Sequence, residues 1–374
     1  MPTLAHRNLF HDKIRLAVTL TGVAFAVVLI VIEMGLYVGF TRTTSSLIDH
    51  SGGDLWVATK DIPYLELGAP FRERKLYRVK TAPGVSEAAR FVMEGVRWTR
   101  PDGAQQLIQV VGFDPDSGMG GPWNMVEGDA HDLKIPDGVI IDEFYKRKLG
   151  VTRIGEVFEI NGHRAQVVGF TRGIRSFTTE PYVFTSVKHA QDFLGLQEDQ
   201  TMFALVKTEP GANVDEVRRN ILARVDGLDV LTTHEFSRRT QRYWTFATGA
   251  GIAILLGAIL GLVVGFVVVT QTIYATTMDH LKEFGTLKAM GAPNMYIYKI
   301  ILTQAGIAAV VGYGLGIVVS SIVVGYSQPA GAPVLMNGWM ITLTFFLTLF
   351  MCVGAALVSI NKATRLDPAS VFKG

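Results

Sequence analysis

Four stretches of this chain, residues 16–40, 246–274, 296–326 and 338–360, carry almost no charge, and that distribution restricts its folds more than any other feature. Each is long enough to cross a hydrocarbon layer about 30 Å thick, which takes roughly 20 helical residues. Lipid offers backbone N–H and C=O groups no partner, so such runs are read as helices. The third run holds Lys299 in its first turn and is otherwise apolar. About 200 residues of ordinary soluble composition separate the first two runs, and the other connections are short. The expected fold is a membrane protein with four transmembrane α-helices and a large α+β extracytoplasmic domain inserted between helices 1 and 2. A mean hydropathy of +0.29 with 18% charged residues fits this, but the segregation decides the class.

Charge sets the orientation. The N-terminal tail, the second connection with the start of the third run, and the C-terminal tail hold nine Lys/Arg and four acids. The turn at 327–337 has no charge, so both termini and the second connection are expected in the cytoplasm. Run 16–40 is longer than the apolar core of a signal peptide, about 7–15 residues, and reads as an anchor. The only cysteine, Cys352, lies in the last run, so the outer domain has no disulfide.

The chain divides into a short amphipathic cytoplasmic segment (1–15), helix 1 (16–40), the outer domain (41–245), helix 2 (246–274), a cytoplasmic coupling segment (275–295), helix 3 (296–326), a turn (327–337), helix 4 (338–360) and a cytoplasmic tail (361–374). Within the outer domain, strand patterns at 88–99 and 106–113 flank Pro101-Asp102-Gly103, and a second pair flanks Asn161-Gly162, a hairpin signal. A strand–helix–strand unit follows, its helix opened by Asn213 with Asp215 and Glu216 in the first turn. Thr232-Thr233-His234-Glu235 reads as a capping box. The helix it opens is expected to run on into helix 2 as a stiff rod, a kink at Gly249/Gly251 being the alternative. Small residues recur every fourth position at Gly257, Gly261 and Gly265, and again at Gly312 and Gly316. Such stripes let helices approach closely in lipid, either within one subunit or across a dimer seam.

Catalytic patterns are missing. No Gly-x-x-x-x-Gly-Lys-Ser/Thr occurs, His234-Glu235 is not followed by a second histidine at zinc spacing, and there is no Gly-x-Ser-x-Gly. The expectation is a chain with no catalytic site, no cofactor, no metal and no nucleic-acid partner. Asp142-Glu143 and Asp114/Asp116 read as solvated turn residues. Glu33 is the one ionisable side chain well inside a run, and intramembrane carboxylates tend to face a bundle interior or a cavity.

The second connection, Asp279–Gly291 (DHLKEFGTLKAMG), is polar, then amphipathic, with glycines that allow a return into the membrane. A short helix across the cytoplasmic ends of two spans is a suitable docking surface for a cytosolic protein. This stretch resembles the coupling segment of type VII ABC transporter permeases, the group that includes MacB, LolC/LolE and FtsX, and within it the DevC-type permeases. The resemblance extends to Arg7-Asn8-Leu9, Val111-Gly112-Phe113-Asp114-Pro115, Tyr243-Trp244, Gln271 and Asp367-Pro368-Ala369-Ser370-Val371-Phe372. It implies a homodimeric mechanotransmission permease in a bacterial inner membrane, with the outer domain periplasmic. It also implies a separate cytoplasmic ATPase that binds ATP and Mg, and contacts to that ATPase from Leu281, Lys282, Glu283, Phe284, Leu287, Lys288 and Met290. A periplasmic adaptor, a TolC-like outer-membrane channel and efflux of a hydrophobic or lipid-type cargo are implied by the same resemblance. FtsX-like signalling without transport, or a receptor with an outer ligand-binding domain, are the alternatives.

Overall fold

The computed structural model describes residues 13–178, 180–327 and 334–364. Most of the N-terminal segment 1–15, most of the turn 327–337 and the end of the tail with Asp367–Phe372 fall outside the described residues. Two units are distinguished, one made of 1–39 with 251–374 and the other of 40–250.

The described helices are α1 Lys13–Asp49, α2 Glu73–Lys80, α3 Lys146–Leu149, α4 Val187–Leu194, α5 Val214–Leu222 and α6 Thr233–Arg242. They continue with α7 Ala250–Asp279, α8 Leu281–Ala289, α9 Asn294–Ser327 and α10 Gly338–Thr364. The strands are β1 Leu55–Thr59, β2 Phe71–Arg72, β3 Val85–Thr99, β4 Gln105–Phe113, β5 Met125–Glu127 and β6 Gly138–Asp142. After them come β7 Val157–Ile160, β8 His163–Thr171, β9 Tyr182–Ser186, β10 Gln200–Thr201, β11 Phe203–Thr208 and β12 Leu228–Thr232. Four helical segments are long and apolar enough to cross a membrane: Leu16–Asp49, Ala250–Asp279, Asn294–Ser327 and Gly338–Ile360.

The outer unit is built on one ten-stranded sheet, ordered β12-β1-β11-β3-β4-β9-β6-β8-β5, with β7 pairing β3 and β8. Its first four strands form a split βαβ layer. The units β1–α2–β3 and β11–α5–β12 interleave, and every neighbour in that layer is antiparallel. Alternation decides the faces: Leu55 and Val57 join Leu76, Val79, Val217 and Ile221 beneath α2 and α5. Trp56 and Ala58 point the other way, into the main core with Phe91, Phe203 and Phe236. Residues between β3 and β11 form the rest of the sheet, including the β7–β8 hairpin at Asn161-Gly162. Two parallel pairings, β4 with β9 and β6 with β8, occur there. Helix α4 lies close on this part because β4 carries Gly112, where a Cβ would sit 2.3 Å from that of Ala190.

In the membrane unit the buried apolar core comes from all four spans, with Val23, Val27 and Ile30 of α1, Val269 of α7, Ile301 and Ala305 of α9, and Met351, Ala355 and Ala356 of α10. Leu256, Leu260, Val318, Phe346 and Phe350 point outward and are exposed, as suits helices solvated by lipid chains.

Two expectations need correction. The helix opened at Thr232 is not a continuous rod: α6 ends at Arg242, a π-helical turn occupies Tyr243–Ala247, and Gly249 takes φ +74° before α7 begins. The unbroken helix is α1, whose 37 residues are about 55 Å long at 1.5 Å per residue and continue nine residues past Phe40. Asp142 is not a solvated turn residue. It is 2% exposed and accepts from the backbone N–H groups of Ile174 (2.7 Å) and Phe144 (3.0 Å) and from the Thr171 hydroxyl (3.2 Å). Burial pushes its carboxyl up against those three donors, which pull it down. Its neighbour Glu143 does sit at the surface, ion-paired with Arg172.

Candidate functional sites: the coupling helix and an aromatic collar

The connection between the second and third spans, expected to be the coupling segment, contains one short helix. Asp279 ends α7, His280 breaks direction, and α8 runs from Leu281 to Ala289. The return is made by Gly291 at φ +89°, with Gly291 N–H donating to Lys288 O and Ala292 N–H to Leu287 O, both at 3.0 Å. His280 Nδ1 lies 3.1 Å from Glu283 Oε2 at the start of the helix. The positions singled out from the sequence then divide by environment. Leu287 is half-buried and packs against the core of the four-helix unit, and Gly285 beside it is buried. Lys288 is half-buried, whereas Glu283 and Met290 are exposed, Met290 at 71%. Leu287 therefore anchors the segment, and Glu283 and Met290 form its outward surface. The side chains of Leu281, Lys282 and Phe284 lie outside the description.

The glycine stripes meet α1. A Cβ on Gly265 would lie 2.8 Å from that of Ala26, on Gly312 2.6 Å from Val23 Cγ1, and on Gly316 2.6 Å from Val27. Gly257 and Gly261 face Glu33, whose Oε2 would be 2.9 Å from a Cβ on Gly257. All five glycines are thus used within one chain, where they let α7 and α9 close on α1. Glu33 lies in the groove that two of them leave.

A second site was not visible in the sequence. Where α1 leaves its apolar run and the chain approaches α7, five rings form a collar. Phe40 on α1 meets Phe177 edge-on at 5.7 Å, and Phe177 meets Trp244 at 4.4 Å. Tyr64 stacks on Tyr243 at 4.2 Å and touches Trp244 at 5.3 Å. Such pairs contribute about 0.5–1.5 kcal/mol each beyond their buried area. Tyr243 and Trp244 are the first two residues of the π turn, and both reach Tyr64. Beside the collar Glu66 is half-buried, and neither its solvent-shielded Oε2 nor Trp244 Nε1 has a partner at hydrogen-bond distance. Desolvation pushes the Glu66 carboxyl up to about 7, the Trp244 indole nearby and its own backbone N–H pull it down, and Glu180 pushes it further up. Tyr182 on β9 is raised as well, by burial first and then by Glu66. The Tyr243-Trp244 pair, aromatic residues just ahead of a span, was the available signal. Tyr64 and Glu66, at the 3-10 turn Leu65–Leu67, and Phe177, in a loop, gave none. Among the described residues no group of three or more His, Cys, Asp or Glu could hold a metal.

Residues 16–224 match the family model of the MacB-like periplasmic core domain, and residues 255–368 match that of the FtsX-like permease C-terminal region. An uncharacterized ABC transporter permease of Mycobacterium bovis is 25% identical over 374 residues, covering 97% of this chain and 96% of the relative. One from Methanocaldococcus jannaschii is 19% identical over 403 residues, covering 100% and 97%. The pyoverdine export ATP-binding/permease protein of Pseudomonas savastanoi pv. phaseolicola is 24% identical, with 98% of this chain aligned to 58% of that protein. Of solved structures, the periplasmic region of MacB from Actinobacillus actinomycetemcomitans aligns at 8% identity and a TM-score of 0.39, covering 50% of this chain and 92% of that one.

Proposed function

The chain is a multi-pass ABC transporter permease of the MacB/FtsX-like family, and we propose that it converts ATP hydrolysis by a separate cytoplasmic ATPase into movement of its extracytoplasmic domain. The observation that carries the reading is α8, a nine-residue helix between two spans whose Leu287 is held by the bundle while Glu283 and Met290 face outward. A helix anchored on one side and open on the other transmits a push into the spans it joins. The relative named for pyoverdine export carries ATP-binding and permease functions in one protein. This sequence has no Gly-x-x-x-x-Gly-Lys-Ser/Thr, so the nucleotide and its Mg would be held by a partner. The spans then act as levers in a homodimer with both termini in the cytoplasm of a bacterial inner membrane. The outer domain works with a periplasmic adaptor and a TolC-like channel to export a hydrophobic or lipid-type cargo. That relative's name supports export over signalling.

The test is co-purification from native membranes after mild extraction, comparing wild type with Glu283→Arg plus Met290→Asp. Both changes fall on the outward surface and spare Leu287. The expected result is a P-loop ATPase that accompanies wild type and is lost from the variant at unchanged thermal stability. A wild-type chain that brings no ATPase, or a variant that keeps it, overturns the coupling role of α8.

A further inference from the structure

We propose that Glu66 and Glu180 share a proton-binding site whose occupied form holds the Tyr243–Ala247 segment in the aromatic collar. The argument begins with the backbone. Tyr243–Ala247 is π-helical, Thr248 closes it by donating its N–H to Tyr243 O at 3.3 Å, and Gly249 breaks the helix at φ +74°. Helix geometry alone does not hold this stretch against α1. Ring contacts do, through Tyr64 on Tyr243 and Phe177 on Trp244, with Phe40 of α1 behind Phe177.

A half-buried carboxyl with one shielded oxygen sits beside those rings. Glu66 Oε2 is shut off from solvent and meets no donor, and the indole N–H of Trp244 beside it is likewise unpartnered. The ionisable groups that bear on it are Glu180 ahead of β9, Tyr182 within β9 and Tyr64 in its own loop. None of these is a cation. Glu180 has a donor, Gln109 Nε2 at 2.5 Å from its Oε2, and Glu66 Oε2 has none. Glu66, whose Oε2 lacks a donor, is the group that takes the proton. A second carboxyl nearby and no cation make ionisation of the shielded one costly. The neutral acid can stay beside the collar, because its O–H can donate and its carbonyl oxygen can accept. The carboxylate gains more from water, which movement of Trp244 away from Glu66 would admit to the shielded oxygen.

The direction follows. Burial raises Glu66 to about 7. The folded collar therefore holds more protons than an open one between the ordinary carboxylate range and pH 7, and its hold weakens as pH rises through 7. An acidic exterior keeps the segment clamped and a neutral-to-alkaline one releases it. The consequence for transport rests on the permease reading above, but the titration does not.

The experiment is ¹⁹F NMR of the full chain in lipid nanodiscs with 5-fluorotryptophan at its five Trp positions, Trp244 being assigned through Trp244→Phe. Between pH 5 and 9 the Trp244 resonance is expected to move, with its midpoint near 7. Glu66→Gln, the neutral isostere, should hold it at the acid-limb position throughout. Glu180→Gln should shift the midpoint downward, since it removes the like charge. Unmoved resonances from the other tryptophans report that each variant is folded. A flat wild-type titration, a titration that survives Glu66→Gln, or an unchanged midpoint in Glu180→Gln each overturns the proposal. None of these bears on ATPase retention at Glu283 and Met290, so the permease reading stands or falls separately.

Discussion

The chain passes between its two units twice, and the two passages are built differently. In α1 the helix continues from the apolar run through Phe40-Thr41-Arg42-Thr43-Thr44-Ser45-Ser46 to Asp49 without a break. Between α6 and α7 it is interrupted by a π turn and by Gly249. Local propensity would favour the reverse, because Ser and Thr compete for backbone hydrogen bonds and lower helix preference. Tertiary context explains the outcome. Thr44, Ser45, Leu47 and Ile48 are buried in the outer unit, and the hydroxyls turn back onto their own helix, Thr44 Oγ1 to Thr41 O at 2.8 Å and Ser46 Oγ to Thr43 O at 3.1 Å. At the second passage, collar packing of Tyr243 and Trp244 is gained at the expense of helical continuity. One passage is a strut, and the other is a joint whose position is set by rings.

Proline separates the two most sharply. Thr43→Pro removes an interior N–H and drives its ring into the carbonyl of Gly39, which costs about 3 kcal/mol or more in a helix interior. Ala250→Pro falls on the first residue of α7, where the N–H meets only Thr248 Oγ1 at 3.3 Å, a position proline tolerates. Thermal unfolding of the purified full-length chain should show a large loss for Thr43→Pro and a much smaller one for Ala250→Pro. Equal losses would mean that the passages do not differ in continuity.

Much of this was legible in the sequence, and the part that was not has a common cause. Spans, strands and caps depend on neighbours in the chain. The Asn161-Gly162 hairpin and the capping box at Thr232 and Glu235, with Glu235 N–H donating to Thr232 Oγ1 at 3.1 Å, are such local features. The unit β11–α5–β12 could be read off its pattern, but its interleaving with β1–α2–β3 could not, because residues 100–202 intervene and strand pairing at that range leaves no periodic trace. The far end of α1 was missed because the apolar run stops at Phe40 while burial of the helix does not. The glycine stripes announced close packing but not against what, since a stripe looks the same whichever helix it faces. Glu66 and Phe177 were silent: nothing in Tyr64-Leu65-Glu66 says that this carboxyl is covered by a tryptophan 178 residues further on.

A smaller effect tests the joint itself. Gly249 at φ +74° has nothing within 4 Å of where a Cβ would stand, so substitution there is felt through the backbone alone. A left-handed conformation costs a non-glycine residue about 1–2 kcal/mol, less for Asn, whose side chain hydrogen-bonds locally. Thermal stability should rank Gly above Asn above Ala at this position. If Gly249→Ala melts with wild type, residue 249 does not keep a positive φ in the protein, and the second passage is as continuous as the first.

The smallest expected effect lies where the two passages touch. Gln241 near the end of α6 donates Nε2 to Ser45 Oγ of α1 at 2.8 Å, and Ser45 Oγ donates to Asp49 Oδ2 at 2.8 Å. A side-chain hydrogen bond contributes about 1 kcal/mol net, but Ser45 is fully buried, so losing one partner also leaves an oxygen short of a donor. Gln241→Leu alone would mix those terms with new apolar packing. The cycle of Gln241→Leu, Ser45→Ala and the double variant isolates them, with an expected coupling of about 1 kcal/mol. Coupling of that size means that strut and joint are tied by a polar contact which a push on one can strain. Additive single losses would leave Phe236 of α6 and Leu47 and Ile48 of α1, which share one core, as the tie. Apolar surfaces slide where a hydrogen bond holds register, so the size of this one number decides whether α6 follows α1 rigidly or shears along it.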